Sequence, residues 1–241
     1  MPHRSSLKQS LMHNIKYLLT FVFVIGLLIL CMRAVDDATR ITSIEIIGNT
    51  QKDLYGLQAY NGRSILFTSE NEIASHLLRQ NVWWSAVTVQ KKYPNRLAVF
   101  VIMTIPTAYL FQDKRYFLLS ESGRVLQKEA SKSYSLPTIK YYETISSLLQ
   151  GVGEIIDLKD ITKSLMLIRG VRNIGLSPDS VDINSRDMVA LQIGSKQIEF
   201  SIEKAGEIQL YQLERIVRQF KIEGKTYKRI DLRFDRPIVE F

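Results

Sequence analysis

The pattern of hydrophobic positions divides the chain into one long apolar run and a longer stretch of short, alternating segments. Residues 17–32 read YLLTFVFVIGLLILCM, with no charged side chain between Lys16 and Arg33. As a helix this run spans roughly 24 Å at ~1.5 Å per residue, and snorkelling of its flanking cations can close the gap to a ~30 Å hydrocarbon core. The pattern predicts a transmembrane helix over residues 17–35, preceded by a cytoplasmic tail of residues 1–16.

Three other interpretations of the apolar run are a core helix, a cleaved signal peptide and a lipoprotein signal. A core helix would carry a polar face, whereas Thr20 is the only polar side chain in the run. A signal peptide would end in a small-x-small cleavage site, which residues 32–37 lack. A lipoprotein signal would place a small residue before Cys31, where Leu30 stands. The pattern favours an uncleaved single-pass anchor.

The distribution of basic residues on the two sides of the run predicts its orientation. Arg4, Lys8 and Lys16 precede it without any acidic residue, whereas the arginines that follow it lie beside Asp36 and Asp37. By a small margin this favours a cytoplasmic amino terminus, with the bulk of the chain outside the cytoplasm.

Beyond Arg40 the spacing changes to that of short strands and helices. A strand over 41–47, a weak helix over 52–60, a helix opened by the capping box Ser69–Glu72, and two strands around a polar hairpin tip at 91–96 form a first block. We assign this block to one domain, residues 40–110.

Residues 111–241 form a second block that is richer in strands. It contains a hairpin around 120–123, a helix after Asp157, three strands between 181 and 202, a helix over 207–221, and closing strands over 227–234 and 238–241. The predicted fold class is therefore α+β: a transmembrane helix, a first α+β domain, and a second, mainly antiparallel β domain with flanking helices.

Composition and charge exclude several function classes. The net charge is +8, but three of the cations precede the apolar run, which is weak evidence for nucleic-acid binding. The single cysteine, Cys31, cannot form an intramolecular disulfide, and His76 is the only histidine after the run. We therefore expect neither a Cys/His metal site nor a cofactor.

The remaining candidates for chemistry have ordinary structural explanations. His76 is expected on a helix surface, and Gly151-Val152-Gly153 lacks the third glycine of a dinucleotide fingerprint. Asp231 and Asp235 would share one strand face too far apart for a glycosidase pair, with Arg233 between them as in a surface charge ladder. The basic hairpin tip could meet phosphate or anionic lipid headgroups, although a solvated tip is the commoner outcome. We predict no enzyme, no small-molecule substrate and no nucleic-acid partner.

Several short motifs resemble those of a known family. The segment 41–110 resembles a POTRA domain, and the whole chain is similar to the bacterial cell-division family FtsQ/DivIB. The matching segments are Ile46–Asn49, Val82–Val89, Tyr93–Leu97, Pro106–Ala108 and, most specifically, Ile230–Asp235. One departure is Thr104-Ile105, where family members usually carry Glu followed by Lys or Arg.

The resemblance implies a non-enzymatic scaffold in the cytoplasmic membrane at the division septum. Such a scaffold recruits the coiled-coil proteins FtsB (DivIC) and FtsL, with other divisome membrane proteins at its POTRA domain. The partner docks around the strand after the signature, which carries over to Arg233 and Phe234 by direct match and by adjacency to Arg236, Ile238, Val239 and Phe241.

A terminal strand suits this role because it tends to lie at a sheet edge, where its backbone can accept a partner's strand. Arg233 would then pair with an acidic partner residue and Phe234 would anchor the contact. Two alternatives remain open. Phe234 and Ile238 can be core residues, and the chain can be a POTRA-bearing component of secretion or envelope assembly.

Overall fold

The computed structural model describes residues 4–48, 52–141, 143, 151–185 and 187–241. Helix α1 runs over Arg4–Ala38, and its segment Leu19–Ala38 is exposed, with a mean hydropathy of 2.2. By length and composition this helix can cross a membrane. It begins well before residue 17, so helical backbone extends into the segment predicted as a tail.

The chain divides into two compact units, residues 1–103 and 104–241. The division falls ahead of the boundary that we placed at residue 110. The reason is that Pro106 does not end the pairing but begins a strand of the second sheet, where the amide that proline lacks is tolerated.

The first unit adds a three-stranded sheet and one helix to α1. The elements are β1 (Ser43–Gly48), α2 (Glu70–Gln80), β2 (Trp84–Lys92) and β3 (Arg96–Met103). The strand order is β1-β3-β2, with β1 parallel to β3 and β2 antiparallel to β3. The helix predicted over 52–60 shrinks to one 3-10 turn at Leu57–Tyr60, because Gly56 before it adopts a left-handed φ of 94°.

Helix α2 begins where the capping motif predicts. The Ser69 hydroxyl accepts a hydrogen bond from the Glu72 amide. The neighbouring Glu70 ties the helix to β2, because its carboxylate accepts the Lys91 amide at 2.6 Å. The buried side chains of α2, Ile73 and Leu77, pack with Trp84 of β2 in the core of this unit.

The second unit is built on a nine-stranded sheet. The strands are β4 (Pro106–Gln112), β5 (Arg115–Ser120), β6 (Val125–Glu129), β7 (Thr138–Tyr141), β8 (Ser180–Ser185), β9 (Met188–Ile193), β10 (Lys196–Ser201), β11 (Arg229–Asp231) and β12 (Ile238–Glu240). Their order in the sheet is β12-β11-β10-β9-β8-β7-β4-β5-β6, and neighbouring strands are antiparallel except for β10–β11, β7–β8 and β4–β7.

Two helices, α3 (Lys159–Asn173) and α4 (Gly206–Glu223), pack into one apolar core with this sheet. Helix α4 buries the predicted stripe around Leu213 and ends at Gly224, which has the left-handed φ of 65° that favours glycine. The predicted fold class is confirmed: an apolar amino-terminal helix precedes two α+β units, the second mainly antiparallel.

The strands of this unit differ from the predictions in two respects. No strand was predicted over the residues of β4 or of β7. The strand expected over 227–234 is confined to Arg229–Asp231, because Asp231 accepts the Arg233 amide at 3.0 Å and so turns the backbone at the end of β11.

Candidate partner-binding edge

The strand β12 lies at one end of the nine-stranded sheet. It pairs antiparallel with β11, with Ile230 opposite Val239, and within the described residues no strand pairs with its other side. The edge position predicted for this terminal strand is confirmed. One row of its backbone amides and carbonyls therefore remains open for pairing.

The strand is held in place from its inner side. Val239 packs against the core, and the Phe241 ring lies 5.7 Å from the ring of Phe220 on α4. Arg229 donates to the Glu240 carboxylate at 3.1 Å. These contacts order β12 before any partner arrives, which lowers the entropic cost of pairing with it.

The two faces of β12 differ. Val239 and Phe241 point towards α4, whereas Ile238 lies on the opposite face in register with Asp231. Ile238 and Phe234 are each 50% exposed, so their interpretation as core residues is wrong. Both are free to contribute apolar contact area.

Arg233 has a structural role that the sequence did not suggest. It forms a bidentate ion pair with Asp231, at 2.9 Å from Nε to Oδ1 and 2.6 Å from Nη2 to Oδ2. Its Nη2 also lies 3.1 Å from Oε2 of Glu199. Arg233 therefore supports the edge from within, and its contact with an acidic partner residue stays a prediction.

The two carboxylates of this ion cluster lie opposite each other on the parallel strands β10 and β11 and are almost completely buried. Arg229 reaches the same Glu199 oxygen at 2.7 Å. Two arginines thus neutralise two adjacent carboxylates, as buried charge requires.

The ionisation of Asp231 reflects this arrangement. Burial works against the charged form, but the hydrogen bonds from the side chain and amide of Arg233, and the charges of Arg233 and Arg229, outweigh it. The pKa of Asp231 is therefore lowered.

The turn between β11 and β12 presents the other predicted residues. Arg236 is exposed and forms no ion pair with any residue that the structure describes. Asp235 lies beyond the end of β11, so it shares no strand face with Asp231 and the predicted charge ladder is wrong. Its carboxylate accepts a hydrogen bond from Lys204 at 2.7 Å. The Arg233 guanidinium lies over the ring of Phe234, with its Cζ 5.7 Å from the centroid of that ring.

A surface groove of about 570 Å³ runs between β12 and α4, lined by Gln212, Arg215, Ile216, Gln219, Phe220, Pro237 and Val239. Next to it, the outer face of α4 carries exposed Ile208, Tyr211 and Ile222. Sequence reasoning missed this face because it followed only the buried stripe. Its signal is nevertheless present, as the 3- and 14-residue spacings of 208, 211 and 222 place them on one side of a helix.

The other candidates for chemistry are structural. Both ring nitrogens of His76 are hydrogen-bonded: Nε2 accepts from the Gln80 side-chain amide at 3.1 Å, and Nδ1 bonds the Tyr60 hydroxyl at 2.9 Å. Gly153 lies in the predicted loop, and its amide bonds the Val125 carbonyl of β6. Among the described residues there is no group of three or more His, Cys, Asp or Glu side chains placed to hold a metal ion.

Comparison with known proteins gives relatives of one kind. No family model matches the chain. Two proteins named Cell division protein DivIB, from Clostridium botulinum strains Loch Maree and Hall, are each 28% identical over 153 residues, which cover 60% of this chain and 57% of theirs. The chain thus spans somewhat more than half the length of these relatives.

A solved structure, the major extracytoplasmic domain of DivIB from Geobacillus stearothermophilus, covers 52% of this chain and 99% of its own at 13% identity and a TM-score of 0.30. At that score the likeness does not bear on the fold. The similarity to these two DivIB proteins agrees with the resemblance to the FtsQ/DivIB family that the motifs at Tyr93–Leu97 and Ile230–Asp235 carry.

Proposed function

We propose that this chain is a membrane-anchored scaffold of the bacterial cell-division machinery, which holds FtsB (DivIC) and FtsL at the septum. The observation that carries the proposal is the open edge of β12 beside the groove of α4. The sequence relatives, both named as cell-division proteins, support the process in which this edge is used.

Binding proceeds by strand addition. An extended partner segment pairs with the free backbone of β12, while Ile238 and the ring of Phe241, which are 50% and 64% exposed, supply apolar contacts on its two faces. Two or three added backbone hydrogen bonds contribute about 1 kcal/mol each, so apolar contacts must provide much of the affinity.

The outer face of α4 suits a helical partner segment. Its apolar side chains lie at helical spacing, and Arg215 and Arg218 line the surface shared by Tyr211 and Ile222. Arg218 pairs with Glu214 at 2.7 Å, whereas Arg215 has no ion pair among the described residues. A coiled-coil protein that passes from helix to strand at this point can use both surfaces at once, and Arg215 favours an acidic residue on the partner helix.

The anchor places the edge in its compartment. With α1 in the cytoplasmic membrane and the amino terminus in the cytoplasm, the chain after α1 faces the outside, where the partners' coiled coils would also lie. Proximity in one membrane raises the effective concentration of the partners, so a short edge suffices.

A binding experiment tests strand addition. The full-length chain is co-reconstituted with the DivIC and FtsL pair from its own organism, and the affinity is measured for Val239→Pro. The Glu240 carbonyl accepts the Lys228 amide at 2.8 Å, so by the two-residue period of a strand the Val239 amide faces the open side, where proline removes it without breaking the pairing with β11. Loss of the edge hydrogen bonds should weaken binding about 30- to 100-fold.

Two further variants complete this test. Ile222→Glu on the outer face of α4 should also weaken binding. Ile155→Glu, at an apolar residue of comparable exposure next to the other end of the sheet, should not. Unchanged binding by Val239→Pro, in a protein whose unfolding midpoint is unchanged, would refute strand addition.

Depletion separates the proposed process from its alternative. Depleted cells should become filaments without septa, and Val239→Pro should fail to rescue them where Ile155→Glu succeeds. Normal septation with defective export would instead identify a secretion or envelope-assembly component.

A further inference from the structure

The loop before α2 exposes two large apolar side chains at the end of the membrane helix. Leu66 is 43% exposed and Phe67 is 87% exposed. Neither belongs to the core of the first unit, and a phenylalanine this exposed is unusual on a surface that contacts only water.

The loop is fixed rather than loose. On its amino-terminal side Ile65 is fully buried, and its amide donates to the Thr39 carbonyl at 2.9 Å. On its other side the Thr68 hydroxyl donates to the Ser64 carbonyl at 2.6 Å, and Ser69 caps α2. The backbone therefore holds Leu66 and Phe67 outward.

The same contacts set the position of the loop relative to α1. Thr39 directly follows the last helical residue, Ala38, and its side chain bonds the helix carbonyl of Val35 at 2.8 Å. Leu66 and Phe67 share an apolar groove of about 600 Å³ with Leu28, Ile29, Cys31, Met32, Arg33, Val35 and Asp36. Since these helix residues include the end of the apolar run, the groove opens at the depth where α1 leaves the hydrocarbon.

A second exposed segment lies at the same end of the unit. The Thr42 amide donates to the Asn95 carbonyl at 3.0 Å, so the hairpin tip between β2 and β3 is tied to the residues that follow α1. Its Tyr93 is 63% exposed, and Lys92 and Arg96 flank it on the surface. An aromatic ring with cations on either side is typical of the membrane interface.

We propose that this end of the first unit docks on the bilayer, with Leu66 and Phe67 inserted among the lipid chains and Tyr93, Lys92 and Arg96 at headgroup level. The ligand is the phospholipid surface itself, in continuity with the lipid-exposed face of α1. Docking restrains the first unit beside its anchor, and this restraint does not depend on any partner protein.

Spin labels of known depth test the proposal in the full-length chain. Cys31 is first changed to Ser, because it is the only native cysteine. Phe67→Cys and Leu66→Cys are then labelled separately and reconstituted in vesicles of phosphatidylcholine, with or without phosphatidylglycerol. Accessibility to oxygen and to a water-soluble nickel chelate gives the depth of each label.

Ile102→Cys is the matched control. Ile102 is also apolar and 63% exposed, but it lies six residues along β3 from Arg96, or about 20 Å at ~3.3 Å per residue. We expect the labels at 66 and 67 to favour oxygen over nickel at least about tenfold more than the label at 102, as labels in hydrocarbon do.

Two results would overturn the proposal. A label at 67 that nickel reaches as readily as the label at 102 would place the loop in water. Labels at 66 and 67 that are immobilised and shielded from both reagents would show a protein contact instead of lipid. Because the vesicles contain no division partner, neither result bears on strand addition at β12.

Discussion

The two ends of the nine-stranded sheet are treated in opposite ways. At β6, the backbone of residues 153–156 covers the start of the edge, at Val125 and the two residues before it. The Val125 amide donates to the Glu154 carbonyl, the Gly153 amide donates to the Val125 carbonyl, both at 2.8 Å, and the Ile156 amide bonds Gly123 at 3.0 Å. At β12, no described residue does the same.

The difference indicates which edge of the sheet is available for pairing with another strand. Uncovered edges invite unwanted pairing, and proteins commonly protect them. Here the chain uses a separate segment to protect β6, while β12 is kept open, short and well supported from behind. An open edge beside an ordered support is what a binding site for one added strand requires.

The largest expected effect comes from removing the support of the open edge. Asp231→Asn leaves Arg229 and Arg233 facing Glu199 without their second carboxylate, which should lower the free energy of unfolding of the second unit by about 2–4 kcal/mol. Urea unfolding, followed by circular dichroism, measures this loss. A change below about 0.5 kcal/mol, the range of surface substitutions, would mean that the ion cluster does not support β11.

The same carboxylate predicts a pH dependence. The pKa of Asp231 is lowered in the folded state, so its contribution to stability is fully present above its unfolded pKa of about 3.9 and is lost as the pH falls through the folded value. The contribution of Asp231 to the unfolding midpoint should therefore stay constant from pH 7 to pH 5. The difference between the native chain and Asp231→Asn should shrink below about pH 4. A gap that persists at the lowest pH would point to packing rather than charge.

A smaller effect is expected from disturbing the covered edge. Gly123 has a φ of 77°, and a Cβ added there would lie 2.8 Å from the Ile156 carbonyl oxygen. Gly123→Ala should cost about 2 kcal/mol, from the left-handed backbone and a strained cover. Gly194→Ala is the control, since its φ is 56° but nothing lies within 4 Å, so about 1 kcal/mol is expected.

Exposure of the covered edge gives a second readout. If residues 153–156 protect β6, Gly123→Ala should also increase self-association, measured by analytical ultracentrifugation of the detergent-solubilised chain. Equal losses of stability for the two glycine variants, with no change in association, would remove the contrast between the ends of the sheet.

Most of the elements were predictable from local pattern. The capping box of α2, the helices α3 and α4, and the hairpin β5–β6 all follow from spacing and turn residues that act over a few positions. The edge position of β12 also followed, because a terminal strand has few neighbours to pair with.

What sequence reasoning missed depends on contacts between distant residues. Glu199 and Arg233 are 34 positions apart, and only the parallel pairing of β10 with β11 brings their side chains within 3.1 Å. The pair with Asp231 is local, but the contact with Glu199 could not be predicted from the residues near Arg233. For the same reason Pro106, which locally suggests a break, proved to begin a strand whose partners lie further along the chain.

The smallest expected effect on stability distinguishes the two arginines of the predicted site. Arg233 is bound in the ion cluster, whereas Arg236 is exposed in the turn before β12. Arg236→Ala should change the free energy of unfolding by less than about 0.5 kcal/mol, as exposed charges usually do, yet weaken partner binding roughly 3- to 10-fold. Arg233→Ala should instead lower the free energy of unfolding by about 2 kcal/mol, a loss that is measurable without any partner.

Urea unfolding and the co-reconstitution assay, applied to both variants at two salt concentrations, separate these roles. If added salt weakens binding in the native chain but not in Arg236→Ala, the charge that recognises the partner lies at this turn. If Arg236→Ala loses stability, the Arg236 side chain supports the fold instead.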